Sequence, residues 1–280
     1  MNISIIGAGA MGGAFADGLL RSQAFKPADI TLANPSQAKL ERFAAQGTSV
    51  TTNNQAAVAE ADITVLAVKP WFVEGVITEI GNSIKLSHQC KAPLTRPIII
   101  NFAAGVRGCQ LKEWLTTALH TPANDDEDQK AAAALFTVIP NIAIAQCNSM
   151  TFIAPIDATK EETEVVKRIF EELGEAMVTD EKHLTAGTVL ASCGIAYAMR
   201  YIRAAAEGGV ELGFRAGEAQ QIVMQTIKGA VSLLEETGMH PEQAIDLVTT
   251  PGGITIRGLN EMEHAGFTSA VVRGLKAGMH

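Results

Sequence analysis

The residues Gly7-Ala8-Gly9-Ala10-Met11-Gly12 follow an apolar run, Asn2 to Ile6, and open an alanine-rich stretch from about Gly12 to Ser22. A G-x-G-x-x-G between a strand and a helix suits the pyrophosphate of a dinucleotide. Gly7 permits the tight turn. Gly9 removes the Cβ that would hold a phosphate off. Gly12 lets the helix pack close to the strand. The helix start adds unpaired N–H groups and a partial positive charge. Ile6, Ala8, Ala10 and Met11 complete the expected cofactor-binding loop. The bland alternative is a glycine turn in an ordinary α/β protein, and the strand–turn–helix context weighs against it.

The end of the second strand discriminates between cofactors. Asp or Glu there would grip a ribose 2′-OH and repel a 2′-phosphate. This chain has Asn34, then Pro35 and Ser36, with Lys39 and Arg42 following. Uncharged Asn34 and hydroxyl-bearing Ser36 favour NADPH, with NADH still possible. Asn34 also reads as a simple turn former before proline.

These residues need a scaffold. The chain has 280 residues, 47% hydrophobic and 19% charged, enough for one large domain or two ordinary ones. A net charge of −8 argues against a nucleic-acid partner. The start lacks a basic leader, and no stretch approaches the roughly 20 apolar residues of a membrane span. Cys90, Cys109, Cys147 and Cys193 are scattered. They predict a reducing, cytoplasmic setting rather than disulfides or a thiolate zinc site. The six histidines show no metal spacing.

Strands are expected at Asn2–Ile6, Ile30–Ala33, Ser49–Thr51, Ile63–Val68, Pro97–Phe102, Leu135–Ile139, Met150–Ala154 and Ala176–Thr179. Helices are expected at about Gly12–Ser22, Ser36–Gln46, Asn54–Glu60 and 160–173, the last capped by Gly174. Apolar strands alternating with helices predict a doubly wound parallel sheet, an α/β Rossmann fold. His88–Arg96 and the acidic Thr121–Gln129 read as loops. After about residue 180 only helices are expected: Thr185–Glu207, Ala216–Glu236, Pro241–Val248 and Ile254–His264. The chain thus divides into a dinucleotide-binding domain, 1–179, and an all-α domain, 180–280.

Further segments carry a resemblance. They are Ala67-Val68-Lys69-Pro70, Asn101-Phe102-Ala103-Ala104-Gly105, Val138-Ile139-Pro140-Asn141 and Thr250-Pro251-Gly252-Gly253-Ile254-Thr255. With the glycine loop they resemble the pyrroline-5-carboxylate reductases, from Met1 to about Met279. The resemblance implies reduction of the cyclic imine 1-pyrroline-5-carboxylate to L-proline. It implies that the all-α domain interlocks with a second copy as a homodimer or larger homo-oligomer. Asn54 would lie near the cofactor ribose, and Ala67, Val68, Lys69 and Pro70 would line the nicotinamide side. Thr250, Gly252 and Gly253 match a turn that holds the carboxylate of the imine. Thr255 matches a threonine whose hydroxyl reaches the ring nitrogen. The same residues also read as a helix start, with Thr250 as cap and Pro251 at the first position.

Two departures stand out. Ser192-Cys193-Gly194-Ile195-Ala196-Tyr197 replaces the family's G-S-G-P-A-Y, and the missing proline predicts a less kinked helix. Ile254 replaces a smaller residue. These changes keep two alternatives open: a reductase of another small cyclic imine or keto acid, and a non-catalytic NADP-binding paralogue. A β-hydroxyacid dehydrogenase would want a catalytic lysine, and Lys228 is the sole lysine between Lys182 and Lys276, with no motif around it.

Overall fold

The computed structural model describes residues 1–86, 90, 94–118 and 133–279. The acidic run Thr121–Gln129 and most of the His88–Arg96 stretch lie outside them. The chain forms two compact units, Met1–Ser192 and Cys193–His280.

The first unit is built on one sheet. Its strands are β1 (Ile3–Ile6), β2 (Ile30–Ala33), β3 (Ser49–Thr51), β4 (Ile63–Leu66), β5 (Ile98–Asn101), β6 (Ala134–Ile139), β7 (Ser149–Asp157) and β8 (Gly174–Val178). Their order is β3-β2-β1-β4-β5-β6-β7-β8. Every residue of β1, β4, β5 and β6 is buried, as continuous apolar runs require when helices cover both faces.

The helices are α1 (Ala10–Ser22), α2 (Glu41–Ala44), α3 (Asn54–Val58), α4 (Val73–Leu86), α5 (Gly108–Ala118), α6 (Lys160–Glu171) and α7 (Leu184–Gly187). α1 and α6 contribute Phe15, Leu19, Ile169 and Phe170 to one core cluster. α3, α4 and α5 contribute Val58, Ile77, Ile80 and Leu111 to the other. Phe15 stacks on Phe170 at 5.5 Å and meets the edge of Phe102 at 5.3 Å, joining helix, sheet and helix.

The structure corrects the sequence reading in several places. The sheet is not wholly parallel, because β7 runs antiparallel to β6. The link between them, residues 140–148, holds only a short 3₁₀ turn, Ile142–Gln146. A parallel return needs a dozen or more residues. Gly174 does not cap α6; it opens β8 at φ 135°, where a Cβ would strike the Ser149 backbone. The expected helix over Ser36–Gln46 is a 3₁₀ turn followed by the four residues of α2.

Helices α4 and α5 lie where the pattern marked none. Gly75, Gly81 and Gly108 lower their intrinsic propensity, and packing overrides it. A Cβ on Gly81 would sit 2.6 Å from the Ala118 Cβ, so the two helices approach through a bare face.

The second unit is all helical: α8 (Gly194–Glu211), α9 (Ala216–Thr237), α10 (Pro241–Leu247), α11 (Ile254–His264) and α12 (Phe267–Ala277). Helix α12 also went unmarked in the sequence. α8 is preceded by a π-helical turn, Thr188–Cys193, so a break in helical register stands beside the position of the missing proline. Within this turn the Ser192 hydroxyl donates to the Pro140 carbonyl at 3.0 Å. Ala219 is the one fully buried residue among those described in this unit.

Candidate active site

Each glycine of the loop has its own local geometry. Gly7 takes φ 106°, its N–H donates to Ala33 O at 2.8 Å, and a Cβ would lie 2.6 Å from the Ala67 carbonyl oxygen. Gly12 has no room either, because a Cβ would overlap the Gly7 carbonyl and approach the Ala67 Cβ to 2.8 Å. Gly9 differs: nothing lies within 4 Å of where its Cβ would stand. It is the N-cap of α1, with extended backbone and no side-chain cap, and no acidic residue follows in the first turn. The exposed N–H groups of that turn therefore face open space. Two glycines bring backbone together and the third leaves backbone bare, which is the shape a pyrophosphate needs.

This loop borders a cleft of about 810 Å³ in the first unit. Ile6, Gly7, Gly9, Ala10 and Met11 form one side, and Asn34, Asn54 and Ala67 to Pro70 also line it. Three predicted residues do not. Ala8 is buried, and its N–H donates to Asn34 Oδ1 at 3.2 Å. Gly12 packs beneath the loop. Ser36 is exposed outside the cleft, and its carbonyl accepts from Asn34 Nδ2 at 3.2 Å. Asn34 therefore clamps the glycine loop to the turn after β2. It is not a bare turn former.

Of the nearby cations, Lys39 lines the cleft. Arg42 is engaged elsewhere, in a two-pronged bond to Asp17 at 2.9 and 3.0 Å and over the Phe43 ring at 4.0 Å. Asn54 Nδ2 donates to Glu79 Oε2 at 2.8 Å, joining α3 to α4. After β5, Asn101 Oδ1 accepts from Ala103 N and its Nδ2 donates to Ala103 O, both at 3.0 Å. That double bond sets the course of the chain at Ala103 and Ala104, which line the cleft. Sequence reasoning missed Trp71, Phe72, Gly75 and Glu79 as lining residues. The available signal was an aromatic pair directly after Ala67-Val68-Lys69-Pro70.

In the second unit, Gly253 N donates to Thr250 O at 2.9 Å and Gly252 takes φ 69°. Helix α11 spans Ile254–His264, the bounds the sequence predicts, and the alternative start with Thr250 as cap and Pro251 at the first position does not form: Thr250 to Gly253 make a turn, and Gly253 is the N-cap. A Cβ on Gly253 would meet Thr250 Oγ1. No side chain caps α11, its first turn holds no acidic residue, and Ile254 and Thr255 are exposed.

Comparison with known proteins gives these features a class and then a family. Residues 2–89 match the model described as "NADP oxidoreductase coenzyme F420-dependent", so the chain is an oxidoreductase of the nicotinamide dinucleotide class. Residues 181–280 match "Pyrroline-5-carboxylate reductase dimerisation". Pyrroline-5-carboxylate reductase 2 of Dictyostelium discoideum is 32% identical, over 98% of this chain and 89% of its own length. Pyrroline-5-carboxylate reductase 1 of that organism is 37% identical over 98% of this chain, which spans 48% of that longer relative. A solved 1-pyrroline-5-carboxylate reductase from Streptococcus pyogenes aligns with a TM-score of 0.77 at 26% identity, covering 100% of this chain and 96% of its own. The chain belongs to the pyrroline-5-carboxylate reductase family.

Proposed function

We propose that this chain reduces 1-pyrroline-5-carboxylate to L-proline with NADPH, acting as a homo-oligomer. The observation that carries the reading is full-length identity to reductases of that name, across both the cleft-bearing unit and the helical unit. The three-way geometry of Gly7, Gly9 and Gly12 fits the cofactor's pyrophosphate.

A reduced nicotinamide supplies the hydride when bound. The protein supplies position and charge. The α1 N-terminus at Gly9 and Ala10 holds the pyrophosphate. Ala67 to Pro70, Ala103 and Ala104 shape the cleft walls. Lys39, together with the absence of a carboxylate at Asn34, Pro35 and Ser36, favours a 2′-phosphate. The exposed N–H groups of Ile254 and Thr255 at the α11 N-terminus hold the substrate carboxylate, with Thr250, Gly252 and Gly253 shaping the turn. The Thr255 hydroxyl donates a hydrogen bond to the ring nitrogen, where the proton must end as C5 is reduced. This arrangement needs neither a strong base nor a nucleophile.

Exposed apolar side chains on the helical unit include Leu212 (82%), Leu247 (64%) and Val248 (59%), surface that a second copy would cover. No described helix is long and apolar enough to cross a membrane. Four free thiols fit a reducing compartment such as the cytoplasm.

The test is steady-state NADPH oxidation with pyrroline-5-carboxylate, wild type beside Thr255→Ala. Turnover that drops about 10²-fold in the variant supports both the activity and the Thr255 contact. Absence of wild-type turnover, with NADPH still binding, rejects this substrate and directs the search to other cyclic imines.

A further inference from the structure

A dinucleotide whose pyrophosphate rests on the loop after β1 sends its adenosine over β2. Its nicotinamide then lies over β4 and β5, on the other side of β1 in the strand order. Ala103 and Ala104, just after β5, line that half of the cleft. They belong to a short link, residues 102–107, between β5 and α5. At its start Asn101 is bonded twice to Ala103. Its middle is bare: Gly105 takes φ 82°, and nothing lies within 4 Å of where a Cβ would stand. The far end is therefore set by the opening of α5. A Cβ on Gly108 would lie 2.5 Å from Ile156 Cδ1, so the first residue of α5 is pressed on β7. The first turn of α5 holds no acidic residue. Arg107 N donates to Gln110 Oε1 at 3.1 Å, and Gly108 N donates to Glu181 Oε1 at 2.5 Å. Glu181 stands 73 residues further along the chain and opens the 3₁₀ turn Glu181–His183 after β8. Among the described residues, it is the one side chain from outside the link and its flanking elements that hydrogen-bonds residues 102–108.

A carboxylate on a helix-start N–H makes a charge-assisted bond, shorter and stronger than a neutral one, and its charge complements the helix dipole. Glu181 is exposed and belongs to no core cluster, so packing does not account for it. We propose that Glu181 is a positioning residue for hydride transfer. Its bond to Gly108 fixes the start of α5 and so holds Ala103 and Ala104 in place against the nicotinamide half of the cofactor. Glu181 itself stands off the cleft wall and acts through these residues. This inference rests on the nicotinamide-dinucleotide reading of the cleft.

The test compares wild type with Glu181→Ala and with Glu181→Gln, whose amide oxygen still accepts from Gly108 N. Calorimetry with NADP⁺ and with adenosine 2′,5′-bisphosphate, which has no nicotinamide, separates the two halves of the cofactor. Glu181→Ala should weaken NADP⁺ binding about fivefold and leave the fragment within about twofold of wild type. Glu181→Gln should restore most of the loss. In single-turnover mixing with pyrroline-5-carboxylate at saturating NADPH, the hydride-transfer rate should fall about tenfold in Glu181→Ala and recover in Glu181→Gln. A merely structural role would weaken both ligands together or lower the melting temperature alone, and either result overturns the proposal. So does a Glu181→Ala protein of unchanged circular dichroism that matches wild type in NADP⁺ affinity and hydride transfer, or a Glu181→Gln protein as impaired as Glu181→Ala. Wild type that binds NADP⁺ but transfers no hydride to pyrroline-5-carboxylate removes that substrate and leaves Glu181 to be decided by the two affinities. Failure of wild type to bind NADP⁺ would overturn the cofactor reading and the role of Glu181 with it.

Discussion

The three loop glycines, alike in sequence, make different predictions. Gly9 has extended backbone and open space, so Gly9→Ala should change stability by less than about 0.5 kcal/mol. Its methyl group would nonetheless stand where the phosphates approach, and NADP⁺ affinity should fall at least about tenfold. Gly12→Ala should do the reverse first, losing about 2 kcal/mol of stability by overpacking against Gly7 and Ala67. Urea titration and calorimetry on the two variants separate these effects. Asn34→Asp keeps an acceptor for Ala8 N but loses the donor to Ser36 O and adds a charge at the β2 end. The NADPH-to-NADH ratio of kcat/KM should drop about tenfold, and an unchanged ratio would remove Asn34 from cofactor selection. The geometry of the glycine loop was legible because its spacing dictates where backbone must come close and where it stays open. The Asn34 clamp was not, because its partners are backbone atoms that the sequence does not name.

Among the elements, the pair of half-buried Arg96 and buried Glu162 fastens α6 to the sheet. Arg96 Nε lies 2.8 Å from Glu162 Oε1, and Arg96 Nη2 reaches the Asp157 carbonyl at 3.3 Å. Glu162 also closes the Thr159 capping box of α6. Burial alone would raise its pKa, but the bonds from Arg96 and Thr159 outweigh burial and lower it. The folded value thus lies below the unfolded value of about 4.3, so the pair contributes fully above that pH and fades as pH falls through the folded value. Glu162→Ala should lose about 3 kcal/mol at pH 7 by denaturant unfolding. The gap to wild type should narrow below about pH 4. A gap independent of pH would assign the effect to packing. Strand existence was readable here because buried parallel strands are unbroken apolar runs. Direction was not: β7 reads like its neighbours, and only the length of the link before it argues for reversal. Helices α4 and α5 escaped notice because their glycines pack well and look, in sequence, like breakers.

Across the whole molecule, apolar burial is unevenly shared. Both large core clusters belong to the first unit, and the helical unit buries Ala219 alone among its described residues. In the homo-oligomer proposed above, a unit so poor in core would draw its stability from association. Diluting the protein tenfold should lower the melting temperature measurably, and a melting temperature constant from micromolar to nanomolar would count against the assembly. The change from α/β to all-helical was plain from the sequence near residue 180. The oligomeric reading was less plain, because apolar helix faces look alike whether they pack inward or against another chain.

The distribution of core also orders events during synthesis. The eight described strands are complete by Val178, so the cleft beside the glycine loop can form while the helical segment is still emerging from the ribosome. On the proposed homo-oligomer, the chain would then carry a settled front half and a back half that completes its packing by meeting another copy. The last folding step would then be an encounter, and its speed would be set by how many copies are being made at once.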